Sequence, residues 1–334
     1  MFGKRDKPHR KPADQSKESH RGREAEHPAE IPKRGWKDIL LRVKAEVADD
    51  NMSIISAGVA FYLLLAIVPA MAAFVAIYGI FSDPQSINAQ LDSVGTMLPA
   101  DARKMIEEQL TRLASTSSKA LGIGAVVGVL ISLWSAMNGT KAIITALNVA
   151  YDEREKRGFF KLNLIALGLT VGVMVFVVVA LTLIAVIPAV LNFLGLGSVV
   201  EWTVQILRWP LILAFLLIML AALYRWAPAR DKARWKWVTP GALFAGFLWL
   251  LGSIGFSLYV TFFADYNATY GSLGAVVVML MWMYISTFAV LLGAETNAEI
   301  ERQTRKDTTE GPKEPIGKRG AYAADTVGEA TDTH

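Results

Sequence analysis

The chain has 334 residues, of which 53% are hydrophobic and 19% charged, with a formal net charge of +4. It contains no cysteine, which excludes disulfides, thiolate catalysis and cysteine-ligated metals. A mean hydropathy of +0.36 with repeated long apolar windows is unusual for a soluble protein of this length. Because the basic residues lie beside those windows, they indicate membrane topology, and we expect no nucleic-acid partner.

Six apolar stretches can be identified along the chain. Each is long enough to cross a bilayer as a helix, which takes about 20 residues. They are 53–81, 121–151, 162–194, 202–226, 239–263 and 273–298.

The charge of the connections alternates between these stretches. Both ends of the chain and the connections 152–161 and 225–238 are rich in Lys and Arg, whereas 195–201 and 264–272 contain neither. By the positive-inside rule, this pattern predicts that both termini are cytoplasmic. The fold class is therefore an all-α, polytopic membrane protein with six transmembrane helices.

Composition divides the chain into three regions. Residues 1–35 and 301–334 are polar and charged, and we expect disordered cytoplasmic tails that flank a membrane domain over 36–300. The basic tails suit anionic lipid headgroups; a merely solvated tail is the alternative.

Short amphipathic helices are predicted on both sides of the membrane. Residues 36–50 place apolar side chains at helical spacing and are typical of a helix on the inner leaflet. The segment 82–120 is the one sizeable connection on the outer side. It predicts two short amphipathic helices that cover the outer mouth of the bundle.

Polar residues inside the apolar stretches are the first candidates for function, because ionisable groups at membrane depth are costly. Asn138 and Lys141 lie in the second stretch, and Glu295 and Asn297 lie in the sixth. At 1.5 Å per residue, Lys141 and Glu295 each lie about 30 Å along their helices, near the inner interface. We predict a Lys141–Glu295 ion pair that closes the cytoplasmic side; the alternative is that each side chain reaches water independently.

Proline inside the first stretch is a further candidate. Pro69 removes an amide donor and crowds the carbonyl of Leu65, which predicts a kink. The kink is either a hinge or ligand contact, or a static bend. Two Gly-x-x-x-Gly patterns, at Gly124 with Gly128 and at Gly168 with Gly172, predict close helix approach.

Two further groups lie at the ends of the stretches. Arg225 and Trp226 are typical of an interfacial headgroup anchor. On the outer side, a polar and aromatic turn lines an outer entrance or forms a tight hairpin. Its residues are Asp265, Tyr266, Tyr270 and Gly271.

The residues offer little for catalysis. All four histidines lie in the tails, and the chain has neither a Gly-rich phosphate loop nor a nucleophile elbow. We therefore expect no enzyme activity, no metal and no cofactor.

Together these motifs resemble the YihY/BrkB family of bacterial inner-membrane proteins over about 36–303. The resemblance rests on Ala60-Phe61-Tyr62 before Pro69, Trp134 leading to Ala146-Leu147-Asn148 and Tyr151, Tyr224-Arg225-Trp226-Ala227-Pro228, Pro240-Gly241-Ala242, Tyr270-Gly271-Ser272-Leu273, and Gly293-Ala294-Glu295 with Asn297-Ala298.

The resemblance implies a multi-pass protein of the bacterial inner membrane, with membrane lipids as partners and a homo-oligomer left open. Members have been called a ribonuclease and a virulence factor, and some are linked to lipid export. We rank a transporter or lipid-translocating protein first and a non-transporting scaffold for envelope assembly second. A ribonuclease comes last, because the chain has neither a metal-ligand cluster nor a soluble domain. Substrate, coupling ion and direction stay open.

Overall fold

The structure, a computed structural model, describes residues 21–81, 121–186, 198–262 and 273–330, and within these ranges all regular elements are helical. The outer segment 82–120 and the outer turn with Asp265, Tyr266, Tyr270 and Gly271 lie outside the described residues. The helices are α1 (Lys33–Asp49), α2 (Met52–Phe81), α3 (Leu121–Ala150), α4 (Phe159–Leu181), α5 (Ser198–Trp226), α6 (Trp235–Phe262), α7 (Gly274–Gln303) and α8 (Tyr322–Asp325). A 3-10 turn (Pro28–Glu30) precedes α1, and a π-helical turn (Thr182–Val186) follows α4.

Six of these helices, α2 to α7, are long and apolar enough to cross a membrane. The predicted fold class and number of spans are therefore confirmed. Their orientation relative to the cytoplasm stays a prediction from the charge pattern.

The six spans form a closed circuit. Each packs against the next in the chain, and α7 closes the circuit by packing against α2. Helix α7 also contacts α1, α3 and α8, so it is the helix that most of the structure shares. The buried core is concentrated at one end of the circuit, around Leu147, Tyr224, Trp237 and Ala294.

We call this end the charged face. It is where α1, the α3–α4 connection (151–158), the α5–α6 connection (227–234) and the C-terminal segment (304–330) meet. The Ala229 amide donates to Asn148 Oδ1 at 2.7 Å, and the Tyr322 amide donates to Glu153 Oε1 at 2.7 Å. These bonds join segments that are far apart in the chain.

Helices α6 and α7 touch backbone to backbone near the charged face. A Cβ on Gly241 would overlap the Gly293 carbonyl oxygen, and a Cβ on Gly293 would lie 2.6 Å from the Gly241 carbonyl oxygen. Asn297 joins the same crossing, since its Oδ1 accepts from the Gly241 amide at 2.7 Å and its Nδ2 donates to the Val238 carbonyl at 3.0 Å. Pro240 has no amide to donate in this turn, so Asn297 supports the first turns of α6.

The close helix approach therefore lies elsewhere than the Gly-x-x-x-Gly patterns suggested. A Cβ on Gly128 or Gly168 would meet nothing within 4 Å, and one on Gly172 would meet only the Met219 side chain. The pattern at Gly168 and Gly172 therefore marks no backbone contact, and the surroundings of Gly124 lie outside those that the structure describes.

Helix α1 forms where the sequence predicts an amphipathic helix, and it packs against α7. Its buried face carries Ile39 and Val43 together with Asp38 and Arg42, and the two charged side chains are paired within the protein. Helix α1 ends at Asp49. Asn51, just before α2, adopts a φ of 52° that asparagine tolerates well.

Pro69 lies inside α2, which continues as one helix from Met52 to Phe81. The side chain is half-buried. A hinge at this position stays a prediction.

The two tails are where the structure corrects the sequence analysis. Residues 21–32 and 304–330 lie within the regions expected to be disordered, but they fold together on the charged face. The Arg305 amide donates to the Arg23 carbonyl at 2.8 Å, and Gln303 Nε2 donates to the Arg21 carbonyl at 2.8 Å. An isolated bridge pairs Ala233 with Thr309.

The physical reason is the capping of α7. The last four carbonyls of a helix have no partner within the helix. Arg23 Nη1 donates to the carbonyls of Arg302 and Gln303 at 3.5 and 3.2 Å, and Arg23 Nη2 donates to the Gly328 carbonyl at 2.6 Å. Arg319 binds four more carbonyls in the C-terminal segment. Arginines that looked like solvated charge thus bind backbone.

We expect Gly241→Ala to lower stability by about 1–3 kcal/mol, because a methyl group cannot enter the α6–α7 crossing without moving backbone. Gly255→Ala is the matched control in the same helix, since a Cβ there would meet nothing within 4 Å. Thermal unfolding of both variants in one detergent measures the difference. Equal unfolding temperatures would contradict this account of the crossing.

Candidate functional site

An apolar pocket of about 150 Å³ lies inside the circuit of helices. Five of the six spans contribute to it, and α4 does not. Its lining residues are Leu63 of α2, Ile143 of α3, Leu216, Leu220 and Leu223 of α5, Ala245 and Trp249 of α6, and Ser286, Thr287, Val290 and Leu291 of α7.

Two polar side chains in or beside this pocket are already hydrogen-bonded. Trp249 Nε1 donates to Ser286 Oγ at 3.1 Å. Tyr224, next to the lining residue Leu223, donates its hydroxyl to the Val290 carbonyl at 2.8 Å. The pocket therefore suits an apolar group. Its volume matches that of an engineered cavity of about 150 Å³ that binds benzene.

Glu295 follows the pocket along α7 toward the charged face. Residues four apart share one side of a helix, so Thr287, Leu291 and Glu295 lie in one row. Glu295 is 2% exposed, and its Oε2 has no hydrogen-bond partner among the described residues. A buried carboxyl oxygen without a partner is rare and calls for an explanation.

Beyond Glu295 the row ends in a network of charges. Arg42 of α1 donates to a carboxyl oxygen of Glu299, and also to Gln303 Oε1 at 2.8 Å. Arg302 donates to the other Glu299 oxygen and to Glu46 Oε1 at 2.9 Å. These two arginines are thereby committed to carboxylates other than Glu295.

Two aspartates at the charged face border this network. Burial, together with the carboxylates of Asp152, Glu46 and Asp49, raises the pKa of Asp50 to about 6. Burial and the Glu46 carboxylate also raise the pKa of Asp152, whose backbone has a φ of 54°. Asp152 is exposed and Asp50 is half-buried, so acidic groups extend from the surface inward.

The predicted Lys141–Glu295 ion pair is wrong. The Lys141 ammonium group lies 4.5 Å from the centroid of the Trp134 ring, on the half-exposed side of α3. The Oε2 atom of Glu295 has no hydrogen-bond partner among the described residues, Lys141 included. Helical spacing placed both residues at similar depth but did not fix the direction in which Lys141 points. Asn138 is exposed on the same helix, so it is not part of the row on α7 either.

Of the other predicted site residues, Asn297 and Arg225 are bonded to backbone. Asn297 braces the start of α6, and Arg225 donates to the Ala233 carbonyl. Arg225 also pairs with Glu310 at 2.5 Å and lies 4.9 Å from the centroid of the Trp235 ring. It is buried, whereas Trp226 is 41% exposed. Of the two expected anchors, only Trp226 has the exposure that an interfacial role needs.

Arg208 is a residue that the sequence analysis missed. It lies inside α5, about 27 Å from Trp226 at the charged end. Its Nη1 donates to the Ile184 carbonyl at 3.4 Å, within the π-helical turn after α4. The general rule that ionisable residues inside spans are functional candidates would have found it.

Within the described ranges, no group of three or more His, Cys, Asp or Glu residues is arranged to hold a metal ion.

A circuit of six spanning helices around an apolar pocket defines a polytopic α-helical membrane protein. The chain belongs to the virulence factor BrkB family, whose model matches residues 43–316. No solved structure matches the chain.

Similar proteins come from several bacteria. The ribonuclease-like protein YfkH of Bacillus subtilis is 32% identical over 255 residues, which cover 75% of this chain and 90% of that protein. A UPF0761 membrane protein of Pseudoalteromonas translucida is 26% identical over 268 residues, covering 78% and 85%. One from Vibrio vulnificus is 26% identical over 269 residues, covering 79% and 83%.

The raised pKa of Asp50 predicts a pH-dependent stability. The folded state holds this proton more tightly, so the contribution of Asp50 is fully present below its ordinary pKa of 3.8 and is lost as the pH rises through about 6. We expect the unfolding temperature of the protein in detergent to fall over this range. Asp50→Asn should flatten that fall, and Glu314→Gln, at an exposed position of the C-terminal segment, should not. Parallel curves for all three proteins would refute the prediction.

Separate surroundings of Lys141 and Glu295 predict that the two residues act independently. In a double-mutant cycle of Lys141→Gln and Glu295→Gln, we expect the coupling energy to stay below about 0.5 kcal/mol. Denaturant unfolding in mixed micelles supplies the four stabilities. A larger favourable coupling would restore the ion pair that the sequence suggested.

Proposed function

We propose that this protein moves a lipid or a similar amphiphile across the bacterial inner membrane, with both termini in the cytoplasm. The observation that carries the proposal is the apolar pocket lined by side chains of five spans. The orientation follows from the Lys- and Arg-rich connections, which cluster on one face. Membrane lipids are accordingly the proposed partners.

The size and lining of the pocket favour part of an acyl chain as the guest. At about 150 Å³, the pocket accommodates a benzene-sized apolar group, which corresponds to a short length of chain. The spans expose many large apolar side chains on their outer surface, such as Leu164, Ile206 and Phe247. A lipid tail that contacts these surfaces can reach the pocket from the apolar interior of the bilayer without passing through water.

Charged groups lie on both sides of the pocket along the spans. Glu295 lies toward the charged face, and Arg208 lies toward the opposite end of α5. A guanidinium group is well suited to bind a phosphate of a lipid headgroup. An apolar site between polar groups suits a molecule that has both a headgroup and a tail.

A scaffold for envelope assembly is the alternative function, and a ribonuclease is the third hypothesis. The name of YfkH calls that relative ribonuclease-like, but the described residues here offer no metal-binding acidic cluster. A scaffold would work through its outer surfaces and would tolerate changes inside the pocket.

Filling the pocket should therefore block transport. We expect Leu216→Trp to slow lipid movement about tenfold, equivalent to about 1.4 kcal/mol on the barrier, because the indole occupies the space of the guest. The assay measures the movement of fluorescent phosphatidylethanolamine between leaflets of proteoliposomes that contain the full-length protein.

Leu211→Trp is the matched control, because Leu211 lies on the same helix and is 55% exposed to the outside. Movement that is normal in Leu211→Trp and slow in Leu216→Trp supports the pocket as the transport site. Equal rates in both variants argue against the pocket. Rates no higher than in protein-free vesicles would favour the scaffold.

A further inference from the structure

Glu295 stands out among the buried charged groups because of its partners. The other buried glutamates of α7 have cationic partners: Glu299 binds Arg42 and Arg302, and Glu301 pairs with Arg230 at 2.7 Å. Glu295 forms no ion pair with any Lys or Arg of the described residues. Its position on the row with Leu291 puts it beside the pocket.

The charges around Glu295 are mostly of its own sign. The acidic groups that act on it are Glu299 on α7, Glu46 on α1, Asp50 directly after α1, and Asp152 after α3. Helix α2 carries no charged side chain, and the one charge of α6, Lys236, is half-buried at its start. The remaining charged or titratable groups nearby are Arg42, Tyr151, Tyr224, Arg230, Glu301 and Arg302; these two tyrosines and these three arginines are buried or half-buried.

A buried carboxylate without a positive partner is unstable in the charged form. It becomes neutral by taking up a proton from water. The described residues around Glu295 do not form a set that could bind a metal ion instead.

Three carboxyl groups at the charged face differ in their exposure. Asp152 is exposed, Asp50 is half-buried and Glu295 is buried, and the charges of Asp50 and Asp152 both act on Glu295. Chains of Asp and Glu side chains serve as proton relays in membrane proteins.

We propose that Glu295 is a proton-binding site that couples proton movement to the transport of the amphiphile. In one step the carboxylate takes a proton from hydronium at the charged face, by way of Asp152 and Asp50, and becomes the neutral acid. In the reverse step it returns the proton to water. No electrons are transferred. The coupling rests on the proposed transport function, whereas the proton binding stands by itself.

The charge of Glu295 decides what the adjoining pocket accepts. When the carboxyl is neutral, the end of the pocket is apolar and an acyl chain can lie against it. When the carboxyl is ionised, the same place favours water and repels the chain. Each protonation step therefore changes the affinity of the pocket for its guest.

Infrared difference spectroscopy tests the proton binding on the full-length protein in lipid. We expect a carbonyl band of a protonated carboxylic acid in the wild type, sensitive to deuterium exchange and lost at high pH. Glu295→Gln should remove this band. Glu295→Asp, which keeps a carboxyl, should shift it and guards against a variant that misfolds. Asp50→Asn should keep the band but slow its exchange, and Glu314→Gln, at an exposed position of the C-terminal segment, should change nothing.

The coupling is tested in the proteoliposome assay with an imposed pH gradient. The gradient should accelerate lipid movement by the wild type and leave the rate in Glu295→Gln unchanged. Absence of the band in the wild type, or a full response to the gradient in Glu295→Gln, would overturn the proposal. Wild-type vesicles that show the band but no lipid movement would overturn the proposed transport, and the coupling with it, while leaving Glu295 as a proton site.

Discussion

The contact between α6 and α7 at Gly241, Gly293 and Asn297 is the interaction on which the rest of the arrangement depends. It sets the distance between two spans at the charged face, where neither has room for a side chain. In a membrane, helices gain little from burying apolar side chains against each other, so close packing and hydrogen bonds hold them together. Helix α7, fixed in this way, also contacts α1, α2 and α3. The row that contains Leu291 and Glu295 is thereby fixed inside the circuit.

The charged face satisfies a second requirement, that every buried polar group needs a partner. Helix α7 continues to Gln303, beyond the apolar stretch predicted to end at 298, because Glu299, Glu301 and Arg302 form buried ion pairs. Its end is capped by Arg23, which lies 279 positions before Arg302 in the chain. Stability of the terminal segments therefore comes from backbone carbonyls and arginines, with few apolar side chains involved.

Sequence predicted what is local and missed what is distant. The six spans follow from apolar length, which is a property of each stretch alone, and all six are helices here. Depth in the membrane also follows from residue number, so the sequence was enough to identify Glu295 as a candidate site residue. The direction of the Lys141 side chain, the pairing of Arg42 with Glu299 and the folding of 304–330 depend on neighbours far away in sequence. From composition, Arg23 and Arg319 are expected to be solvated. The backbone carbonyls that they bind can be identified only from the three-dimensional structure.

The position of the pocket follows from uneven packing along the spans. Near the charged face, small residues such as Ala245, Gly293 and Ala294 allow the helices to pack closely, and Tyr224 fills the remaining space. Farther along α5 and α6, large side chains such as Leu211 and Leu251 are exposed on the outer surface. The pocket adjoins the closely packed part of the bundle at Ala245. The Glu295 carboxyl is buried beside this pocket, with closely packed protein on one side and apolar space on the other. Binding or release of a single proton therefore changes the polarity of the interior at this point.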